Sequence, residues 1–318
     1  MNAAQNPAQA FPGEAIDRLS SSILKTMLYY DLFNYPLTVA EIKTHCAQPG
    51  VTEEMIRESL DGLCDDSFVF RYDQYYSVQN DGGLFLRRIK GNMAAEGAMK
   101  KVLRRSRLIA SFPYVRCVCV SGSLSKNYFD ETTDADFFII TEPNRLWICR
   151  TFLIFFKKIF LRNSKKYFCV NYFIDAENLV IPDKNIFTAT ELTTLLPLYN
   201  YALYQDLFNA NPWVRSFFPN SQHRPNGTAR LSKPVLKHIL EKSLKGKAGE
   251  WLDTFFMKMT LRRWKKEFGW QPQPEFEVNM RTRRNVSKHH PQGFQFRILN
   301  SYQERIQSFE RQHQLILS

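Results

Sequence analysis

Residues 120–141, VSGSLSKNYFDETTDADFFIIT, restrict this chain more than any other stretch. An apolar run ends in Gly122-Ser123, residues 124–133 follow, and Asp134-Ala135-Asp136 leads into a second apolar run. Both runs are short, β-branched or aromatic, and bounded by turn residues, so 115–120 and 137–141 read as buried strands. Carboxylates at i and i+2 of an extended chain project from one face, where both can hold Mg2+. The Gly-Ser turn brings backbone N–H groups and a hydroxyl close to an anion, with no glycine side chain in the way.

Around this centre the periodicity predicts helices over 15–30, 37–46 and from Thr52-Glu53 onward, the second with a Thr38–Glu41 capping box. Two short β-type runs, 68–70 and 75–78, follow as a hairpin. Residues 81–84, DGGL, read as a hinge-like break, and 85–110 as a long basic helix. A buried helix is expected over 146–160 and a third strand over 168–174. Beyond Thr188 the pattern reads as helical, through 208, over 233–268 and again over 293–316. The aromatic segment 197–218 is expected to pack the core of that helical part. No stretch approaches the ~20 apolar residues of a membrane span, and residues 1–17 lack the basic and apolar regions of a signal peptide. The expectation is a cytoplasmic protein.

Charge divides unevenly. Residues 1–84 carry 12 acidic and 5 basic side chains, 85–220 carry 11 and 19, and 221–318 carry 8 and 19. An acidic module joined to a basic body favours phosphate-bearing or polyanionic ligands for the body. The six cysteines form no disulfide framework. Cys117 and Cys119 lie two apart on one strand with no partner pair to complete four zinc ligands, so they read as core thiols.

The Gly122-Ser123 … Asp134-x-Asp136 pattern resembles the signature of the polymerase-β-like nucleotidyltransferase superfamily. The resemblance implies an α+β fold, with a mixed sheet flanked by helices. It implies Mg2+-dependent (or Mn2+-dependent) transfer of a nucleoside monophosphate from an NTP, with pyrophosphate leaving. Asp134 and Asp136 would hold the metal, and Gly122 and Ser123 the triphosphate. The acceptor stays open among a small molecule, an RNA end and a protein side chain. Residues 16–82 resemble a winged-helix domain, three helices followed by a hairpin. The expected division is a flexible N-terminus over 1–15, that module over 16–82, a catalytic domain over 83–187 and a helical C-terminal region over 188–318. The module's third helix carries Glu53, Glu54, Glu58, Asp61, Asp65 and Asp66 against Arg57 alone. Phosphate contacts come mainly from Lys and Arg, so sequence-specific DNA binding is not expected of it.

Several roles stay open. The superfamily's third carboxylate would come from the strand over 168–174. There Asn171 occupies a mid-strand position, and Asp175 lies at the strand end on the same alternating face. Asp175 either completes the acidic site, directed at Asp134 and Asp136, or merely ends the strand. Lys126 either contacts nucleotide phosphates or is a solvated loop lysine. Arg281, Arg283, Arg284, Lys288, His289 and His290 form either a phosphate-binding segment or a solvated basic loop, the latter favoured. Rival readings are a nucleotidyltransferase-fold binding or regulatory protein without catalysis, and a winged-helix DNA-binding regulator.

Overall fold

A computed structural model describes residues 14–227 and 235–317. In chain order its first elements are β1 (Glu14–Ala15), α1 (Arg18–Asp31), β2 (Leu37–Thr38), α2 (Val39–His45), α3 (Glu53–Asp65), β3 (Phe70–Tyr72), β4 (Tyr75–Ser77) and α4 (Gly82–Ala110). Then come β5 (Val115–Ser121), α5 (Gly122–Ser125), β6 (Asp136–Thr141), α6 (Leu146–Phe160), β7 (Cys169–Asp175), α7 (Ile186–Thr194), β8 (Leu196–Tyr199), α8 (Tyr201–Asn209) and α9 (Val214–Phe217). The last are α10 (Val235–Ser243), α11 (Lys247–Phe268), α12 (Gln273–Asn279), β9 (Thr282–Arg283), β10 (Val286–Lys288), α13 (Phe294–His313) and β11 (Leu315–Ile316).

The chain divides into two compact units, one holding residues up to 85 with 218–220 and 298 onward, the other 86–217 with 221–297. In the first, α1 to α3 bury Ile23, Leu24, Leu28, Ile42, Ile56 and Leu60 completely. The sheet of this unit has the order β2-β4-β3, all antiparallel. The capping box forms as expected: the Thr38 hydroxyl accepts from Glu41 N, and the Glu41 carboxylate accepts from Thr38 N at 2.9 Å. Each half satisfies a helix-terminal donor the helix itself cannot. The exposed face of α3 is acidic, with Glu54, Glu58, Asp61 and Asp65 all in solvent. Of the stretch expected to be flexible, residues 1–13 lie outside the described residues, whereas Glu14–Ala15 pairs in parallel with Leu315–Ile316. The hinge expected over 81–84 is instead the first turn of α4, started by Asp81 Oδ1 accepting from Gly83 N at 2.7 Å.

The second unit is built on a mixed six-stranded sheet of order β8-β5-β6-β7-β10-β9. The one parallel pair, β6 with β7, is joined across the sheet by α6, as a parallel connection requires. Val115, Val118, Val120, Ile139, Trp147, Ile148, Leu153 and Phe173 are fully buried in its core. Asp253 of α11, itself 1% exposed, accepts from Trp147 N and Ile148 N at 2.8 and 2.9 Å and so caps α6 in place of a local residue. Cys117 and Cys119 are completely buried with their sulfurs 3.8 Å apart, and all six cysteines are free.

The region expected to be helical over 188–318 departs from that reading, because it supplies three of the six strands. Residues 196–199 break the predicted helix and pair with β5, helped by Pro197 and by Asn200 in a left-handed conformation (φ 60°). The segment read as a solvated basic loop is the β9–β10 hairpin. Its Arg281 and Lys288 are buried, and both bind Asp183, at 2.7 and 3.3 Å. The salt bridges to the distant Asp183 turn Arg281 and Lys288 inward, which local hydropathy does not register, while Arg283 and Arg284 stay exposed as the loop reading expects. Tyr204 and Phe208 of the aromatic segment, with Leu207 between them, do pack as core. No helix among the described residues is long and apolar enough to cross a membrane.

Candidate functional site

Strand pairing brings the two halves of the 120–141 motif together. Ser121 at the end of β5 pairs with Asp136 at the start of β6, so Gly122 begins its turn beside the second aspartate. Gly122 has φ +69°, and a Cβ built on it would lie 2.8 Å from Asp136 Oδ2. Any other residue would carry both backbone strain and a clash with the carboxylate. Ser123 follows in the short α5, held by Ser125 Oγ and Lys126 Nζ, both donating to Gly122 O at 2.8 and 3.2 Å. The linking segment is ordered by Lys166, whose ammonium donates to the carbonyls of Asp130, Glu131 and Thr133. That anchoring places Asp134 at the pocket wall.

The pocket has a volume of about 490 Å³ and is lined by Gly122, Ser123, Asp134 and Asp136 on one side. Glu191, Lys288, His289 and His290 add further polar groups to the lining, and Ile181, Phe187, Leu192, Leu195 and Phe294 apolar ones. A cavity of this size with a few convergent polar groups suits a small organic ligand.

Asn171 and Asp175 separate sharply. The β6–β7 register slips between Phe137 and Phe138, so Val170 and Tyr172 face consecutive residues and Asn171 is the extra one. Its Nδ2 donates to Asp136 Oδ1 at 3.0 Å. Asp175 pairs with Thr141 at the far end of the same strands, six residues beyond the Asp136–Cys169 pair. That is about 20 Å of strand. Its Oδ1 accepts from Glu177 N and Asn178 Nδ2, at 3.1 and 2.8 Å. Asp175 therefore ends the strand, and the expectation that it is directed at Asp134 and Asp136 is corrected. Sharing a face does not bring residues four apart to the same place along a strand.

No family model, curated protein or solved structure matches this chain. Its chemistry has to be read from its own geometry.

A third carboxylate does reach the site, from an unforeseen element. Glu191 of α7 receives Lys126 Nζ at 2.7 Å and, through its other oxygen, Gly122 N at 3.3 Å. Burial works to raise the Glu191 carboxyl, but the Lys126 charge and hydrogen bond, the Gly122 N–H and His290 outweigh it and hold it below the usual range. The available signal was composition: in IFTATELTT, Glu191 is the single ionisable side chain of an otherwise buried helix. Burial pushes the Asp136 carboxyl up to about 6, with Glu191 and Asp134 adding to the rise and the Cys169 thiol and Lys126 opposing it. Burial also lowers both histidines, His289 to about 3 and His290 to about 4, assisted by neighbouring cations, so both are neutral imidazoles at pH 7. His289 lies stacked on Trp264, 4.9 Å between ring centres.

Asp134 and Asp136 offer hard oxygen donors, and the side-chain gap at Gly122 keeps space open beside Asp136 Oδ2. This donor set fits one Mg2+ or Mn2+ held by carboxylates, with other oxygen ligands needed to complete the shell. Among the described residues no group of three or more His, Cys, Asp or Glu side chains is arranged to hold a metal by itself.

Proposed function

We propose that the pocket of the second unit binds a nucleoside triphosphate and that the protein is a Mg2+-dependent nucleotidyltransferase of the polymerase-β-like type, passing a nucleoside monophosphate to an acceptor. The observation that carries this reading is the approach of Gly122 to Asp136. The two halves of the motif, on neighbouring antiparallel strands, meet at the pocket so closely that a Cβ at Gly122 would lie 2.8 Å from Asp136 Oδ2. The order β5, short helix, antiparallel β6, crossover helix, parallel β7 supports the same reading.

In this proposal Asp134 and Asp136 hold the cation, which neutralises triphosphate charge and activates the transferred phosphoryl group when bound. Gly122 and Ser123 orient the phosphates, and Lys126 adds a point charge. Asp136 must be ionised to serve, which it is above about pH 6. The three helices and small sheet of the first unit are proposed as a winged-helix-like module in a structural or protein-contacting role. The acidic outer face of α3 argues against DNA as its partner.

One observation favours a second reading, a nucleotide-binding protein of this fold without transfer. Asn171, which cannot act as a base at pH 7, stands against Asp136, and Asp175 is remote. Incubating the full chain with each α-labelled NTP, Mg2+ or Mn2+, and acceptors of the three classes separates the two. Label transfer with pyrophosphate release supports the enzyme. NTP-dependent thermal stabilisation without transfer supports the binding protein, and neither result removes both.

A further inference from the structure

The Glu191 carboxylate sits where an anionic ligand would. Its two oxygens take a backbone N–H, from Gly122, and an ammonium, from Lys126. These are the charge-assisted contacts that a phosphate oxygen takes. The fold holds it there: α7 is capped by Asn185, whose side chain accepts from Thr188 N, and buries Phe187, Ala189, Thr190 and Leu192 around it. The groups that act on Glu191 are Lys126, Gly122 N–H, His290, Lys288 and Asp136. Lys126 is the cation in direct contact with it among them. The single Gly122 N–H cannot serve both a phosphate and this carboxylate, and two like charges brought together at that N–H and the Lys126 ammonium in a partly buried site repel.

We propose that Glu191 is a built-in competitor for phosphate at the Gly122–Lys126 corner, displaced only by a chain of linked phosphates, with Lys126 exchanging the carboxylate for phosphate oxygens. The proposal rests on the reading that this pocket takes nucleotide phosphates. It adds a specificity rule to that reading. A single phosphate gains too little from the two donors to dislodge an ion pair already made at 2.7 Å, whereas di- and triphosphates bring further charge to Ser123 and to the metal carboxylates' cation.

The test uses the full chain, with Mg2+ present throughout, titrated with inorganic tripolyphosphate and with orthophosphate. The wild-type protein is expected to bind tripolyphosphate at least ten-fold tighter than orthophosphate. Glu191→Gln, which keeps shape and loses charge, is expected to bind both at least ten-fold tighter than wild type and to narrow the preference. Glu191→Ala is a second variant with the same expectation, and thermal melting verifies that each is folded. Adding Lys126→Gln to Glu191→Gln is expected to remove the gain. Unchanged or weaker binding in both Glu191 variants overturns the proposal, as does equal wild-type affinity for the two anions. The two readings fail separately. Tighter tripolyphosphate binding in the variants with no NTP binding in any protein removes the nucleotide reading and leaves the competitor. Equal NTP affinity in wild type and Glu191→Gln removes the competitor and leaves the nucleotide reading.

Discussion

The Asn171 amide donates to Asp136 Oδ1 at 3.0 Å, while Asp175, the acidic residue expected beside that carboxylate, lies at the far end of β7. It satisfies one carboxylate oxygen with a neutral donor and adds no charge of its own. In the proposed site this contact occupies the place of a third acidic ligand, so it is the natural position to alter.

Asn171→Asp replaces that donor with a like charge. The Asp136 carboxyl is expected to move higher than about 6, and affinity for Mn2+ at pH 8 to rise about ten-fold, since a hard cation gains a third oxygen donor. Titration of Mn2+ followed by paramagnetic relaxation of water checks this. Unchanged affinity would show that residue 171 does not face the cation.

Asp136 also sets a pH dependence. Its folded carboxyl, at about 6, lies above the 3.8 of a free aspartate. Between those values the native state binds more protons than the unfolded one, so stability falls as pH rises from about 4 to 6 and then levels. Asp136→Asn removes that cost, about 1–3 kcal/mol at neutral pH. The variant should melt several degrees higher than wild type at pH 7.5 and show no gain at pH 4. Because Asp253 is also raised to about 6 by burial, the difference between variant and wild type is the quantity to measure. Metal-dependent NTP binding should be lost in the same variant.

Gly122→Ala places a methyl group 2.8 Å from Asp136 Oδ2 on a backbone of φ +69°. Left-handed strain alone costs about 1–2 kcal/mol. Denaturant unfolding should register at least that loss, and NTP affinity should fall by more than ten-fold because the turn and the carboxylate cannot both keep their places.

Asp253 tests the scaffold rather than the site. Removing both acceptor contacts to Trp147 N and Ile148 N with Asp253→Ala is expected to cost about 1–3 kcal/mol. Asp253→Asn keeps an oxygen for those N–H groups and is expected to lose much less. Equal losses in calorimetry would mean that the carboxylate charge, not the cap, holds α6.

The sequence by itself determined the elements whose pattern is local: the strands flanking Gly122-Ser123 and Asp134-x-Asp136, the capped helix at Thr38, the buried α6 and the core thiols Cys117 and Cys119. Periodicity, caps and turn residues act over a few positions, and those signals survive in a linear reading. What only the tertiary structure decided depends on pairing across long separations. The register of β6 with β7 put Asn171 beside Asp136 and carried Asp175 to the far end of the sheet. Strand alternation specifies a face but not a position along it. The salt bridge from Arg281 and Lys288 to Asp183 drew a basic run into the sheet. Glu191 entered the site from α7 because Lys126 and Gly122, 65 and 69 residues away, offered a half-buried carboxylate the partners that make its charge tolerable.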